Sequence, residues 1–222
     1  MQLYTYFRSS AAYRVRIALH LKELDYEAVP VHLLKNGGEQ LLPEYRAINP
    51  SALLPTLQDD GVLITQSLTI LEYLEERHPA PAHALLPTDP VARAAVRAMA
   101  HMIACDIHPL GNLRVLNYLS GTLGISDEAK KAWSQHWIAQ GFMALEALLD
   151  RTAERGRFCH GDSPTMADCC LVPQVFNARR IGIDMAPYPT IAAIDAACAS
   201  LPAFIAAHPS SQIDAPPADG MI

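Results

Sequence analysis

Two adjacent serines, Ser9 and Ser10, follow the first predicted strand and stand where the first predicted helix begins. The first N–H groups of a helix have no intrahelical partner and carry partial positive charge, so they favour a nearby anion. A serine hydroxyl adds one more hydrogen-bond donor. The segment therefore predicts a site for a thiolate or a carboxylate, while the alternative is that a serine merely caps the helix.

A second pair of segments, Leu54-Pro55 and Gln66-Ser67, opens a predicted strand and a predicted helix. A proline at the start of a strand is a position where a cis bond is plausible, although only about 5% of X-Pro bonds are cis. Ser67 could again be a simple cap. Two helix N-termini and an exposed backbone edge in one small domain favour a peptide ligand that carries carboxylates.

The elements that position these segments occupy residues 1–78, where short β-branched or aromatic runs alternate with helical ones. The predicted strands are 3–7, 26–33, 55–58 and 62–64, and the predicted helices are 13–22, a short one ending at Asn49-Pro50, and 67–77. Asp59-Asp60-Gly61 predicts a hairpin between the last two strands. The predicted order is β-α-β-α-β-β-α.

Four prolines between residues 79 and 90 predict a linker, because each proline fixes its own φ and lacks an N–H group. The helical runs predicted beyond it are 91–119, 127–151, 165–180 and 189–200. We therefore expect an α/β domain at 1–80, an all-α domain at 90–212 and a frayed tail from Ile213.

Composition excludes several classes of partner. The 222 residues include 17 Lys and Arg against 23 Asp and Glu, for a formal charge of −6, and half of them are apolar. This balance does not suit binding to nucleic acid or to an anionic membrane. The sequence predicts neither a secretory leader nor a membrane span. Five cysteines without CxxC spacing fit a reducing compartment, so we expect a cytoplasmic protein without disulfides.

The sequence resembles the zeta-class glutathione transferases of the maleylacetoacetate and maleylpyruvate isomerase type. The resemblance rests on the run from Tyr6 to Leu19, on Lys35-Asn-Gly-Gly-Glu-Gln40, on Asn49-Pro50, and on the Leu54-Pro55 and Gln66-Ser67 pairs. It extends from the first strand to about Pro189. It implies a thioredoxin-like N-terminal domain that binds glutathione, an all-helical second domain and a cytosolic homodimer.

The same resemblance implies roles for individual residues. Ser9 and Ser10 fall where family members place hydroxyls against the glutathione sulfur, and the sequence leaves open which serine contacts it. The positions that would hold the rest of the tripeptide are Gln40, Leu54 through its backbone with Pro55, Gln66 and Ser67, with Asp106 and His108 reaching it across the dimer interface.

The nucleophile is expected to come from glutathione. Every cysteine lies beyond the first domain, at 105, 159, 169, 170 and 198. A free thiol with a pKa near 8.5 is only a few per cent ionised at neutral pH, so the site must favour the thiolate. Ala11 stands where relatives carry Cys, Thr or Ser, which disfavours secondary transferase activities.

The resemblance also brings Arg8, Arg114 and Arg180 to the electrophile, with Arg179 as an adjacent alternative to Arg180. Guanidinium groups bind carboxylates in a bidentate manner and stabilise developing negative charge, which suits a small dianionic cis-enone. The expected reaction converts maleylacetoacetate or maleylpyruvate to the fumaryl isomer by reversible thiolate addition. The alternatives are a broader transferase or α-haloacid-processing enzyme and a non-catalytic glutathione-binding protein.

Two other motifs are assigned no catalytic role. His101, Cys105 and His108 recur at i, i+4 and i+7 and could bind zinc with Asp106, but such spacing is common in a helix that contains histidines, and we expect no metal. Thr165 and Asp168 form a capping box at the start of a helix in the second domain. That box predicts fold and not chemistry.

Overall fold

The computed structural model describes residues 1–79, 82–152 and 155–217. The chain forms two compact units: the first is Met1–Leu85 together with the segment that starts at Ser200, and the second is Leu86–Ala199. The strands are β1 (Gln2–Thr5), β2 (Glu27–Pro30), β3 (Thr56–Asp59) and β4 (Val62–Thr65). The α-helices are α1 (Ser10–Leu21), α2 (Pro43–Ile48), α3 (Ser67–Arg77), α4 (Pro90–His101), α5 (Leu113–Gly121), α6 (Asp127–Arg151), α7 (Met166–Arg180), α8 (Pro189–Ala199) and α9 (Pro202–Ala207).

The sheet of the first unit has the strand order β2–β1–β3–β4. β1 pairs in parallel with β2 and antiparallel with β3, and β3 forms the predicted hairpin with β4. Leu3 and Leu57 face each other across the central pair and are fully buried. The predicted order of strands and helices is confirmed, and α3 has the bounds that the sequence indicated.

Helix α1 and its C-cap residue bury three cationic side chains, those of Arg14, Arg16 and Lys22. Lys22 Nζ lies 2.8 Å from Glu75 Oε2 and donates to the carbonyl oxygens of His78 and His83, at 2.9 Å each. The ion pair joins the end of α1 to α3, and the two carbonyl contacts join it to the segment that follows α3. A buried ammonium group requires such charged and polar partners.

The C-terminal segment packs with the first unit. Helix α9 contacts α1, whereas the sequence-based boundary had placed residues up to 212 in the second domain. The expected frayed tail is also held at its beginning, since Asp214 accepts a hydrogen bond from the Phe7 N–H at 2.9 Å. Residues 218–222 of that tail lie outside the described residues.

The second unit contains α4 to α8, and the prediction of one helix over 91–119 is wrong. A π-helical turn at Met102–Ile107 and a 3-10 turn at His108–Gly111 separate α4 from α5. Pro109 lacks the N–H that a continuous α-helix needs there. Gly141 of α6 permits a close approach, because a Cβ at this position would lie 2.4 Å or less from side-chain atoms of Ile107.

Buried carboxylates fix the starts of two helices in this unit. Asp168 accepts the Thr165 N–H at 2.7 Å and completes the predicted capping box of α7. Glu146 of α6 accepts the N–H groups of Thr190 and Ile191, at 2.6 and 2.9 Å, and so caps α8. Among the described helices, none is long and apolar enough to cross a membrane.

Candidate active site

The N-terminus of α1 offers hydrogen-bond donors around Ser9 and Ser10. Ser9 is the N-cap residue, and its Oγ accepts the Ala12 N–H at 3.2 Å. A hydroxyl has one donor hydrogen besides its two lone pairs, so capping leaves the hydrogen of Ser9 able to donate to an anion. Ser10 is the first residue of the helix. Both serines are half-buried, which keeps them accessible to a ligand.

The N-terminus of α3 forms a second anion-binding position in the same unit. Gln66, the residue before the helix, adopts φ +70° and ψ 118°, which is an uncommon conformation for a residue other than glycine. The buried Ser67 begins the helix, and its Oγ accepts a hydrogen bond from Arg14 Nη1 at 3.0 Å. Arg14 therefore connects α1 to the start of α3 and adds a buried positive charge behind that N-terminus.

The segment before β3 presents unused backbone groups. The Leu54–Pro55 bond is cis, at a position where the sequence made such a bond plausible. The preceding carbonyl, that of Leu53, accepts hydrogen bonds from Tyr45 Oη at 2.7 Å and Asn49 Nδ2 at 2.8 Å. No hydrogen bond of Leu54 occurs within the described part of the chain. Its N–H and C=O are available to an extended peptide, in the manner of an added strand.

Gln40 contributes a buried amide that has unused hydrogen-bonding capacity. Its side chain is buried, and within residues 1–79, 82–152 and 155–217 its Oε1 has no hydrogen-bond partner. Gly38 has φ +107°, and a Cβ there would lie 2.7 Å from Gln40 Nε2, so this position requires glycine. An amide oxygen left without a donor fits the N–H or ammonium group of a bound peptide.

The arginines expected at the electrophile differ in their surroundings. Arg8 lies in the loop between β1 and α1, with its Cζ 5.9 Å from the centroid of the Phe7 ring. Arg114 is exposed near the start of α5. At the end of α7, Arg179 pairs with Asp195 at 3.0 Å, whereas Arg180 donates to the neutral Asn177 side chain at 2.7 Å. Because Asp195 already pairs with the guanidinium of Arg179, Arg180 is the better candidate.

Asp106 and His108 lie on the irregular turns between α4 and α5, where Asp106 is exposed and His108 is half-buried. The π-helical turn also changes the spacing on which the zinc hypothesis relied. Among the described residues, no group of three or more His, Cys, Asp or Glu side chains is arranged to hold a metal ion. His101 instead has its Nδ1 2.7 Å from the carbonyl oxygen of Arg97.

The chain's own buried thiols are poor nucleophiles. Burial raises the pKa of Cys159, Cys169 and Cys198, so these groups stay protonated at neutral pH. The first unit contains no cysteine at all. A thiolate at the start of α1 would therefore have to come from a ligand.

Sequence reasoning did not identify the buried side chains that support the site. Arg14, Arg16 and Asp214 contact the segments that carry the candidate residues, but none of the three stood out as functional. The available signal was the position of two arginines inside the apolar run of α1, since charged side chains are almost never fully buried unless paired. Asp214 gave no signal, because its contact joins residues that are 207 positions apart.

Comparison with known proteins agrees with this architecture. The models for the N-terminal and C-terminal domains of glutathione S-transferase match residues 3–82 and 131–207. The probable maleylacetoacetate isomerase of Vibrio cholerae is 51% identical over 213 residues, which cover 96% of this chain and 97% of that protein.

Two solved structures are similar over almost the whole chain. The holo structure of a bacterial zeta-class maleylpyruvate isomerase has a TM-score of 0.93 and 48% identity, and the match covers 97% of this chain and 100% of that one. The maleylacetoacetate isomerase of Methylobacterium extorquens AM1, solved with bound malonate and glutathione, has a TM-score of 0.93 and 41% identity, with the same coverage.

The two units thus have the architecture of a glutathione transferase, with a thioredoxin-like first domain and a helical second domain. The chain belongs to the zeta class of the glutathione S-transferase family, among the maleylacetoacetate and maleylpyruvate isomerases. The resemblance that the sequence motifs indicated is confirmed.

Proposed function

We propose that this protein is a glutathione-dependent cis–trans isomerase that converts maleylacetoacetate, or the related maleylpyruvate, to its fumaryl isomer. The observation that carries the proposal is the pair of helix N-termini in one small unit, with Ser9 and Ser10 on α1 and Ser67 on α3, linked by Arg14. The identity to proteins named for these two substrates supports the same reaction.

The residues of the first unit fit glutathione, a tripeptide with two carboxylates and one thiol. Gln66, Ser67 and the positive end of α3 would hold a carboxylate. The free backbone groups of Leu54, next to Pro55, would pair with the peptide, and the unpartnered oxygen of Gln40 would accept one of its N–H groups.

When bound, glutathione supplies the thiolate that adds reversibly to the cis double bond, permits rotation about the resulting single bond and then departs. The chain's task is to keep that sulfur ionised. The hydroxyl of Ser9 or Ser10 and the first N–H groups of α1 stabilise the negative charge. Each unit by which they lower the thiol pKa corresponds to about 1.4 kcal/mol.

The second requirement is to bind a dianion and to stabilise the charge that develops on its ketone oxygen. We assign this to Arg8, Arg114 and Arg180, whose guanidinium groups can hold carboxylates and an oxyanion. The malonate bound with glutathione in the Methylobacterium extorquens structure is likewise a small dicarboxylate.

We further propose that the protein works as a homodimer in the cytoplasm. Asp106 and His108 would then reach the glutathione held by the other subunit. The free thiols support a reducing compartment, since the cysteines at 105, 159, 169, 170 and 198 form no disulfide in this structure.

The direct test follows the ultraviolet absorbance of maleylacetone, a cis enone, with and without reduced glutathione. We expect loss of the cis enone only when both the protein and glutathione are present. Binding of glutathione without isomerisation would contradict the proposal and favour a binding protein. Turnover of α-haloacids at rates above those of the cis enone would instead favour a broader transferase, which Ala11 argues against.

A further inference from the structure

The loop that carries the candidate catalytic residues is held by side chains from distant parts of the first unit. Residues 6–9 connect β1 to α1, and within this loop the Ser9 N–H donates to the Tyr6 carbonyl at 3.0 Å. The Phe7 N–H and C=O instead form hydrogen bonds with side chains. Phe7 itself is buried, so water cannot readily replace those partners.

Arg16 holds the carbonyl groups of this loop. Its Nη1 donates to the carbonyl oxygen of Tyr6 at 3.3 Å, and its Nη2 donates to that of Phe7 at 3.0 Å. Its Nε donates to the carbonyl oxygen of Ala207 at 3.1 Å, which ties the loop to α9. Burial lowers the pKa of Arg16 to about 10, so the guanidinium remains charged at neutral pH.

Asp214 holds the N–H side of the same loop. Its Oδ2 accepts the Phe7 N–H at 2.9 Å, while its Oδ1 is buried and has no hydrogen-bond partner among the described residues. The negative charge of Asp214 acts on Arg16 and opposes the effect of burial. The carboxylate therefore binds the loop directly and acts electrostatically on the guanidinium that supports the loop.

We propose that Asp214 is a positioning residue for the reaction: with Arg16, it fixes the backbone of the 6–9 loop so that Arg8, Ser9 and Ser10 face the ligand. These two side chains bind the N–H and C=O of Phe7 and the C=O of Tyr6, so the conformation of the loop depends on them. The C-terminal segment is in this way part of the active-site framework.

This inference rests on the proposed function, and its test separates the two. The wild-type protein is first assayed for isomerisation of maleylacetone and for the ultraviolet absorbance of bound thiolate over a range of pH. If wild type fails both assays, the proposed function fails. If wild type passes, the comparison with variants tests Asp214 alone.

The informative variant is Asp214→Ala, which leaves the Phe7 N–H without an acceptor. We expect kcat to fall on the order of tenfold, since small displacements of catalytic groups are costly, with a smaller change in KM for glutathione. The pKa of the bound thiol should rise toward its free value. Asp214→Asn retains an oxygen that can accept the Phe7 N–H and should restore most of the activity.

Tyr73→Phe is the matched control, because it deletes a side-chain hydrogen bond in the same unit, from Tyr73 Oη to Asp59 Oδ2, that does not involve the 6–9 loop. It should leave kcat and the thiol pKa at wild-type values. Removal of residues 218–222, which keeps Asp214, should do the same. An unchanged thiol pKa in Asp214→Ala, an equal shift in Tyr73→Phe, or no recovery in Asp214→Asn would each overturn the assignment.

Discussion

Substitution of Ser9 separates helix capping from catalysis, because one hydroxyl performs both tasks in this account. Its Oγ accepts the Ala12 N–H at 3.2 Å, and its hydrogen is free to donate to a sulfur. Ser9→Ala removes the cap and should lower the free energy of unfolding by about 1 kcal/mol. Ser9→Gly also removes the hydroxyl but caps well, so it should cost only a few tenths of a kcal/mol, by order of magnitude.

The effect on turnover should be the same in both variants. A hydrogen bond to a charged group contributes about 1.5–3 kcal/mol, which corresponds to a loss of roughly 10- to 150-fold in kcat if Ser9 contacts the sulfur. Glutathione binding should weaken far less, since Gln40, Leu54 and Ser67 still hold the peptide. Ser10→Ala leaves the cap intact and should show that loss of turnover if Ser10 makes the contact instead.

Urea unfolding measures the stability of each variant, and loss of the cis enone of maleylacetone measures its turnover. The reasoning predicts that stability differs between the Ala and Gly variants of Ser9 while their kcat values agree. Loss of turnover that tracks stability would refute this reasoning. It would also be refuted if each serine substitution reduced kcat and glutathione affinity by the same factor. Those serines would then only hold the tripeptide.

Other predictions concern both units. Burial, and then the nearby charge of Arg16, lowers the pKa of His208, so the unfolded chain binds more protons than the folded one. Stability should therefore fall as pH drops below about 6.5, and His208→Gln should reduce this dependence in urea unfolding at several pH values. Arg180→Ala should raise KM for the enone about tenfold or more. Arg179→Ala should leave KM unchanged and instead lower stability, because it leaves the largely buried carboxylate of Asp195 without its ion-pair partner. Glu146→Ala should cost about 2–4 kcal/mol in thermal unfolding because it deletes two hydrogen bonds to one buried carboxylate.

Each of these predictions has a contradictory outcome. If the pH dependence of stability is unchanged in His208→Gln, that histidine is not a source of the acid sensitivity. Equal effects of the two arginine substitutions on KM would show that the ion pair of Arg179 does not distinguish it from Arg180. A stability loss below about 0.5 kcal/mol in Glu146→Ala would place that substitution among ordinary surface changes.

Local sequence signals sufficed for much of the first unit. The Asp59-Asp60-Gly61 turn located the β3–β4 hairpin, and the apolar spacing between Ser67 and Arg77 located α3, because these patterns depend on near neighbours in the chain. The position of Pro55 at the start of a strand made a cis bond plausible, and the bond is cis. The serines, Gln40 and the Gln66-Ser67 pair were identifiable because they lie in short motifs.

Features that depend on tertiary contacts were not accessible in this way. The break between α4 and α5 involves the packing of Ile107 against Gly141, which lies 34 positions away on α6. The burial of Arg16 depends on carbonyl groups from the 6–9 loop and from α9. Periodicity alone cannot distinguish it from a surface arginine. Asp214 falls in a stretch whose prolines suggest a tail, and only the fold brings it to Phe7.

The central claim is that this chain binds reduced glutathione and holds its sulfur as a thiolate at the start of α1. Titration calorimetry at neutral pH, in two buffers that differ in ionisation enthalpy, measures both properties together. The account predicts binding with net release of up to about one proton for each glutathione, because a thiol with a pKa near 8.5 is mostly protonated when free. S-methylglutathione should release none. No heat of binding, or binding of glutathione without proton release, would contradict the account.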